Sequence, residues 1–334
     1  MTDLTYQTMG ELMNTDIPNP KPLLGSWLTN QQINMIYAPS GVGKSMFAMS
    51  IAIAVAGGGE YLGWKADGCS KVLIVDGEMD MSDLRDRAIL LSGSIENLDL
   101  KAASSNLSFL PFQGQADNVN WPDLAEPDDH QRIINRIKNE KIDLVILDNL
   151  STLAGVENEN DASAWRPVNE LLRKIKRLGC TPIMVHHSRK GNSVNSDGYR
   201  GSQILSVLLS SNIMLEAPEG AQSSGGASFK VVFQKYRGMR SAETETRGVQ
   251  LDEDGRWSYD ILAVGKAYDV ARAIRTRNYT NQREVAEGLG WSKGEVSKQL
   301  KKAYEANLIT REEVDTCFDE AKSVKEDDEG LDDF

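Results

Sequence analysis

Short apolar runs alternate with longer stretches of helical periodicity through the first half of the chain. Residues 33–37 form an apolar run that ends in a glycine-bearing loop, and residues 45–56, rich in Met, Ala and Ile, predict a buried helix. The same alternation continues with a strand over 71–75, helices over 81–91 and 131–138, a buried strand over 144–147, a long amphipathic helix over 162–178 and a strand over 182–186. Strands and helices in that order build an α/β fold, a mainly parallel sheet with helices on both faces. Three consecutive strand-like runs, 212–215, 228–234 and 256–259, predict an antiparallel extension of the sheet. Residues 1–30 are polar and carry Pro18, Pro20 and Pro22, so an extended lead-in is expected there.

Residues 263–312 differ in style. Helices are predicted over 269–277, over 281–287 (opened by Thr280) and over 292–307 (capped by Ser292), with a turn at Gly288-Leu289-Gly290 before the third. Residues 308–311 would then begin a hairpin, which completes the pattern of a small C-terminal winged helix-turn-helix domain. Residues 313–334 are acidic and poor in apolar side chains, and a disordered tail is expected.

Charge changes this picture in one respect. The net charge of −12 over 334 residues argues against a nucleic-acid partner until it is divided. Residues 311–334 hold eleven acidic and three basic residues, a balance of −8, whereas 266–311 hold ten basic and five acidic, a balance of +5. The basic segment before the tail therefore leaves DNA open as a partner. No apolar stretch approaches the roughly 18 residues that cross a bilayer, and the start of the chain shows no secretory leader. Cys69, Cys180 and Cys317 are scattered without metal-ligand spacing, as reduced thiols would be, and a cytoplasmic location is expected.

The candidate chemistry begins in the loop Ala38-Pro39-Ser40-Gly41-Val42-Gly43-Lys44-Ser45, followed by Met46, which fits a Walker A phosphate loop with alanine in place of the first glycine. Gly41 and Gly43 let backbone N–H groups turn toward phosphates. Lys44 supplies a charge to the β and γ groups, and the Ser45 hydroxyl offers a ligand to Mg²⁺. Asp148 ends a buried apolar run as a Walker B carboxylate would, a second group for Mg²⁺. Asn149 follows it, so the base that polarises water must come from elsewhere, and Glu78, just beyond the strand after the phosphate loop, is the candidate. Two readings stand for His186-His187: structural histidines at a strand end, or a sensor of the γ-phosphate. Lys235 and Arg237 flank Tyr236 beyond a late strand, either as a charged hairpin end or as cations delivered to a neighbouring subunit's ATP.

The ordered set APSGVGKSMFAMSIA, VLIVDGEM, LVILDNLSTL, VHHSRKG, GYRGSQIL and KYRGM, within residues 23–259, resembles the RepA-type replicative helicases of plasmids, in the hexameric RecA/DnaB superfamily. The resemblance implies a RecA-like P-loop ATPase domain over 31–262. It further implies a ring in which six subunits place ATP between them and single-stranded DNA in the channel. It assigns the catalytic glutamate to Glu78, phosphate sensing to His187, adenine stacking to Arg87 and a place near the nucleotide to Arg200. Residues 152–161 and 188–199 match loops that face the channel. Two departures stand out: no arginine follows about ten residues after Arg200, where RepA-type proteins carry a finger, and Glu157, Glu159 and Asp161 make one channel loop acidic. Lys235 and Arg237 are similar instead to the Lys-x-Arg element of DnaB-type helicases. The end of the tail, 326–334, is similar to the acidic tips of bacterial single-stranded-DNA-binding proteins, which implies a replication partner; a plain solubilising tail is the other reading. The expected function is an ATP-dependent DNA helicase or translocase of a mobile element, with the winged helix on duplex DNA or a partner. The alternative is a DNA-bound ATPase switch, loader or recombination mediator that does not unwind.

Overall fold

The computed structural model describes residues 4–156, 163–187, 203–217, 226–262, 266–305 and 308–329. The chain opens with a short helix α1 (Met9–Asn14) and a small hairpin of β1 (Pro22–Leu24) and β2 (Leu28–Thr29). Strand β3 (Asn34–Ala38) leads into α2 (Lys44–Gly57), then β4 (Glu60–Tyr61), β5 (Trp64–Lys65) and β6 (Val72–Asp76). Next come α3 (Met81–Ser92), α4 (Leu100–Asn106), β7 (Leu107–Pro111), α5 (His130–Glu140), β8 (Leu144–Asp148) and α6 (Leu150–Leu153). After them run α7 (Arg166–Arg177), β9 (Thr181–His187), α8 (Gln203–Ser206), β10 (Ser211–Glu216), β11 (Ala227–Tyr236), β12 (Arg247–Leu251) and β13 (Trp257–Ile261). Four helices close the chain: α9 (Lys266–Arg275), α10 (Gln282–Leu289), α11 (Lys293–Glu305) and α12 (Arg311–Glu329).

One nine-stranded sheet, in the order β13-β12-β11-β10-β3-β9-β8-β6-β7, organises the core. The six strands from β10 to β7 run parallel, and β11, β12 and β13 extend the sheet antiparallel. The central strands β3, β6 and β8 are buried at every position, which is why they read as continuous apolar runs. Helix α2 is buried on nearly all sides from Phe47 to Gly57, beneath one face of the sheet. Helices α5 and α7 cover the other face, with Ile133, Ile137, Leu171, Leu172 and Ile175 in the second half of the core.

Four expectations need correction. The lead-in is not extended throughout: Thr8 and Glu11 form a reciprocal capping box that opens α1, and Leu23, Leu24, Trp27 and Leu28 are buried in the main core. Strands β7 and β12 were not anticipated: β7 is a short run interrupted by Ser108 and ended by Pro111, β12 carries Arg247, Gly248 and Gln250, and each is defined by its partner strand. Residues 308–311 do not open a hairpin, so α9, α10 and α11 lack the wing. Thr310 instead accepts a hydrogen bond from the Glu313 amide through its hydroxyl, and the chain enters α12. Nor is the region after Glu312 without structure. Val314, Cys317 and Ala321 recur at helical spacing on a buried face, and ion pairs of 2.6 Å join Arg275 to Glu313 and Arg277 to Glu320. The tail's extreme end lies outside the described residues.

Candidate active site

The site sits where the parallel strands end. Ala38 pairs with His187 across β3 and β9, and Asp76 pairs with Asp148 across β6 and β8, so four strand ends share one rim. The loop between β3 and α2 bends over this rim through Gly41 (φ 81°) and Gly43 (φ 112°), conformations that L side chains resist. Gly43 also has no room for a side chain, since a Cβ there would lie 3.0 Å from the Ala227 Cβ. Ala38 stays inside β3, so the position needs no glycine. Val42 and Met46 lean on the core, while Ser40, Gly41 and Ser45 line the cavity.

Lys44 opens α2, and its Nζ donates to the carbonyls of Ala38 (3.1 Å) and Pro39 (2.9 Å). Burial pushes its ammonium below the ordinary lysine range, against the pull of Asp148 and Glu78. Asp148 is buried, and burial lifts its carboxyl to about 6; the neighbouring charges of Asp76 and Glu78 push the same way, while the Ser45 hydroxyl and Lys44 pull it down. Its peptide bond to Asn149 is cis. Glu78 accepts a hydrogen bond from the Asn149 side chain, Nδ2 to Oε2 at 2.7 Å. Three acids, Asp76, Glu78 and Asp148, thus meet Lys44 and Arg87 around one cavity. That imbalance suits a site that receives cations along with its ligand.

Lys44, Ser45, Glu78, Asp148, His187 and Arg87 all line a single cavity of about 380 Å³. Arg87 reaches it from α3, with Nη1 3.1 Å from the Met79 sulfur. The two histidines part company: His187 faces the cavity, whereas His186 is buried with its ring 5.7 Å from that of Trp165. Asp76 was missed by sequence reasoning. It is buried, and its Oδ1 accepts from the amides of Glu78 (3.0 Å) and Met79 (2.7 Å), which fixes the turn that carries Glu78. The signal was available, since residues 72–76 are an apolar run ending in Asp, as 144–148 are.

Lys235 and Arg237 are not brought to this cavity. Tyr236 pairs with Ser211 and Ser211 with Asn34, so they lie at the start of β3, the end of the sheet opposite the phosphate loop. There Lys235 Nζ donates to the Ser206 carbonyl at 2.6 Å and Arg237 to that of Val207. Arg200, the loop 188–199 and the acids Glu157, Glu159 and Asp161 fall outside the described residues.

The residues present fit a magnesium nucleotide. A glycine-built cradle and a helix N-terminus meet a buried lysine, and a serine hydroxyl stands beside a buried carboxylate. Among the described residues no cluster of three His, Cys, Asp or Glu forms a metal cage. Mg²⁺ needs none, because it takes most of its ligands from phosphate and water. No helix among those residues is long and apolar enough to cross a membrane.

A family model described as an AAA domain (AAA_25) matches residues 3–193. The chain is 26% identical over 211 residues to the DNA repair and recombination protein RadB of Pyrococcus horikoshii, covering 60% of this chain and 80% of that protein. Among solved structures, a KaiC-like protein from the same archaeon superposes with a TM-score of 0.48 at 16% identity, over 73% of this chain and 98% of that one.

Proposed function

Because the chain belongs to the AAA domain family, we propose that it hydrolyses Mg-ATP in this cavity and uses the cycle to move on DNA. The observation that carries the reading is the meeting of Lys44, Ser45, Glu78 and Asp148 in one cavity at the rim of a parallel sheet. The N–H groups after Gly41 and the positive end of α2 hold the phosphates, and Lys44 neutralises the β and γ groups. Ser45 and, through water, Asp148 would hold Mg²⁺, which would supply charge to offset the phosphates during transfer. Glu78 orients the attacking water and accepts its proton. His187 reports loss of the γ-phosphate to the following loop, and Arg87 stacks on the adenine.

Lys235 and Arg237 cannot serve their own site from the far end of β11; in a ring of six they reach the ATP of a neighbouring subunit, with Arg200 near the nucleotide. Single-stranded DNA passes through the channel of that ring. The exposed Lys293, Lys298, Lys301 and Lys302 of α11 give the C-terminal helices a surface for duplex DNA or an acidic partner. The acidic end of the chain recruits a replication partner. The activity is that of a helicase or translocase of a mobile element, in the cytoplasm. The relative named for DNA repair and recombination favours a second reading, an ATP-dependent recombination mediator that remodels DNA–protein complexes without unwinding.

Strand separation on a forked substrate, measured with ATP turnover, tests this. Wild type unwinds and Lys44→Ala does not under the first reading; DNA-stimulated hydrolysis without unwinding leaves the second. No hydrolysis by the assembled wild-type protein with magnesium and DNA refutes both.

A further inference from the structure

Asn149 makes two different hydrogen bonds with the two ends of one side-chain amide. Its Oδ1 accepts from the Thr152 amide at 3.3 Å, as the N-cap of α6, and its Nδ2 donates to Glu78 Oε2 at 2.7 Å. The side chain is buried while Glu78 is exposed, so the fixed partner of this pair is the asparagine. We propose that Asn149 is a positioning residue for hydrolysis: it holds the Glu78 carboxylate by one oxygen and ties its orientation to α6. The proposal rests on Glu78 serving as the base in the reading above.

Ser, Thr, Asp and Asn all cap helices about equally well, because the cap needs only an acceptor. Of these, only Asn also carries an amide donor. A donor aimed at a carboxylate is idle in the cap but useful to a base, which must keep one oxygen pointed at water. The amide is neutral, so it fixes the carboxylate without the strong loss of basicity that a cationic partner causes.

The surroundings make the hold rigid. Asp76 Oδ1 clamps the backbone of Glu78 and Met79, and the Gly77 amide donates to the Asp148 carbonyl at 2.9 Å. A Cβ at Gly77 would lie 2.5 Å from Thr152 Oγ1, so the turn carrying Glu78 is pressed against α6 with no space for a side chain. Thr152 Oγ1 in turn donates to the Asn149 carbonyl at 3.0 Å. A displacement of α6 therefore moves the amide that steers the base.

Two variants separate the cap from the steering. Asn149→Ser keeps a capping oxygen but loses the amide donor, leaving only a shorter hydroxyl, and Asn149→Asp keeps the shape and the acceptor while placing a negative charge against Glu78. Each is made alone and in a Glu78→Gln background, and kcat, KM, the affinity for a fluorescent ATP analogue and the melting temperature are measured. Expected is a loss of about 10- to 100-fold in kcat, the worth of a hydrogen bond to a charged group, with KM and analogue affinity within about 2-fold. Neither variant should lower the residual rate of Glu78→Gln, because the group being steered is gone. Unchanged kcat, loss of analogue affinity in step with kcat, or losses that add fully to Glu78→Gln would each overturn the role. If Asn149→Ser melts early, Asn149→Asp decides by the same comparison. A wild type that binds the analogue without hydrolysing ATP removes the hydrolase reading itself and this role with it. A wild type that hydrolyses with additive variant losses removes only the role of Asn149.

Discussion

Replacing Asp148 by asparagine should stabilise the ligand-free protein while abolishing its activity. Burial and the charges of Asp76 and Glu78 raise the Asp148 carboxyl from an ordinary 3.8 to about 6, despite Lys44 and the Ser45 hydroxyl. Between those two values the folded chain binds the proton that the unfolded chain has released. Stability therefore falls as pH rises through this window, and the whole penalty is present above pH 6. At about 1.4 kcal/mol per pH unit the penalty is on the order of 3 kcal/mol. Asparagine has no charge to desolvate and still offers Ser45 an acceptor, but it gives up the attraction to Lys44. A net gain of about 1–2 kcal/mol at pH 7.5 remains, which for a chain of this size is about 1–3 °C in melting temperature. Thermal melts in EDTA without nucleotide, at pH 7.5 and pH 4.5, measure it. The variant should melt higher at pH 7.5, and the gap should shrink toward pH 4.5 as wild-type Asp148 takes up its proton. A variant no more stable than wild type at pH 7.5, or a gap that is the same at both pH values, would refute the reasoning.

Three further outcomes follow from the geometry. Gly43→Ala must place a Cβ 3.0 Å from the Ala227 Cβ in a backbone with φ 112°, a strain of about 1–3 kcal/mol, and fluorescent-nucleotide titration should show binding lost or sharply weakened. Glu78→Gln should retain the analogue with near-wild-type affinity while hydrolysis falls by about 10²- to 10⁴-fold, a split read by filter binding beside a phosphate-release assay. Mixing inactive Lys44→Ala with inactive Arg237→Ala should restore turnover at about a quarter of the interfaces, since each mixed pair of the right orientation combines an intact phosphate loop with an intact cation; a mixture as inactive as its components would remove the trans role.

What was legible in the chain was what lies close together along it. The phosphate loop is contiguous, and Asp148 and Glu78 follow from the rule that parallel strand ends share a rim, which the register of Asp76 with Asp148 realises. What was hidden depends on distant partners. Arg247 in β12 looks like a surface cation, yet it is buried: its guanidinium donates to the carbonyls of Leu62, Glu243 and Glu245 and lies 4.4 Å from the Trp64 ring centroid. Burial lowers it to about 10 against the pull of Tyr259, Glu243 and Glu245, and it stays charged at neutral pH. Trp27 and Leu28 were obscured by neighbouring prolines and by a hairpin too short to show a period. In α12 the acidic composition outweighed the spacing of Val314, Cys317 and Ala321, which was helical all along.

Lys235 and Arg237 show the limit most clearly, because their residue types were legible and their location was not. Strand β11 begins at Ala227, against Gly43 of the phosphate loop, and ends at Tyr236 beside the start of β3. Ten residues of strand span about 30 Å, so one strand, irregular at Gln234, joins the nucleotide cradle to two cations on the opposite end of the sheet. Within a single chain that separation makes the cations useless to the ATP. In the proposed ring it would give each subunit one strand with its own phosphates at one end and a neighbour's at the other. A change at one site would then be delivered to the next through the sheet itself, and the mixing experiment above asks whether that strand has anything to touch.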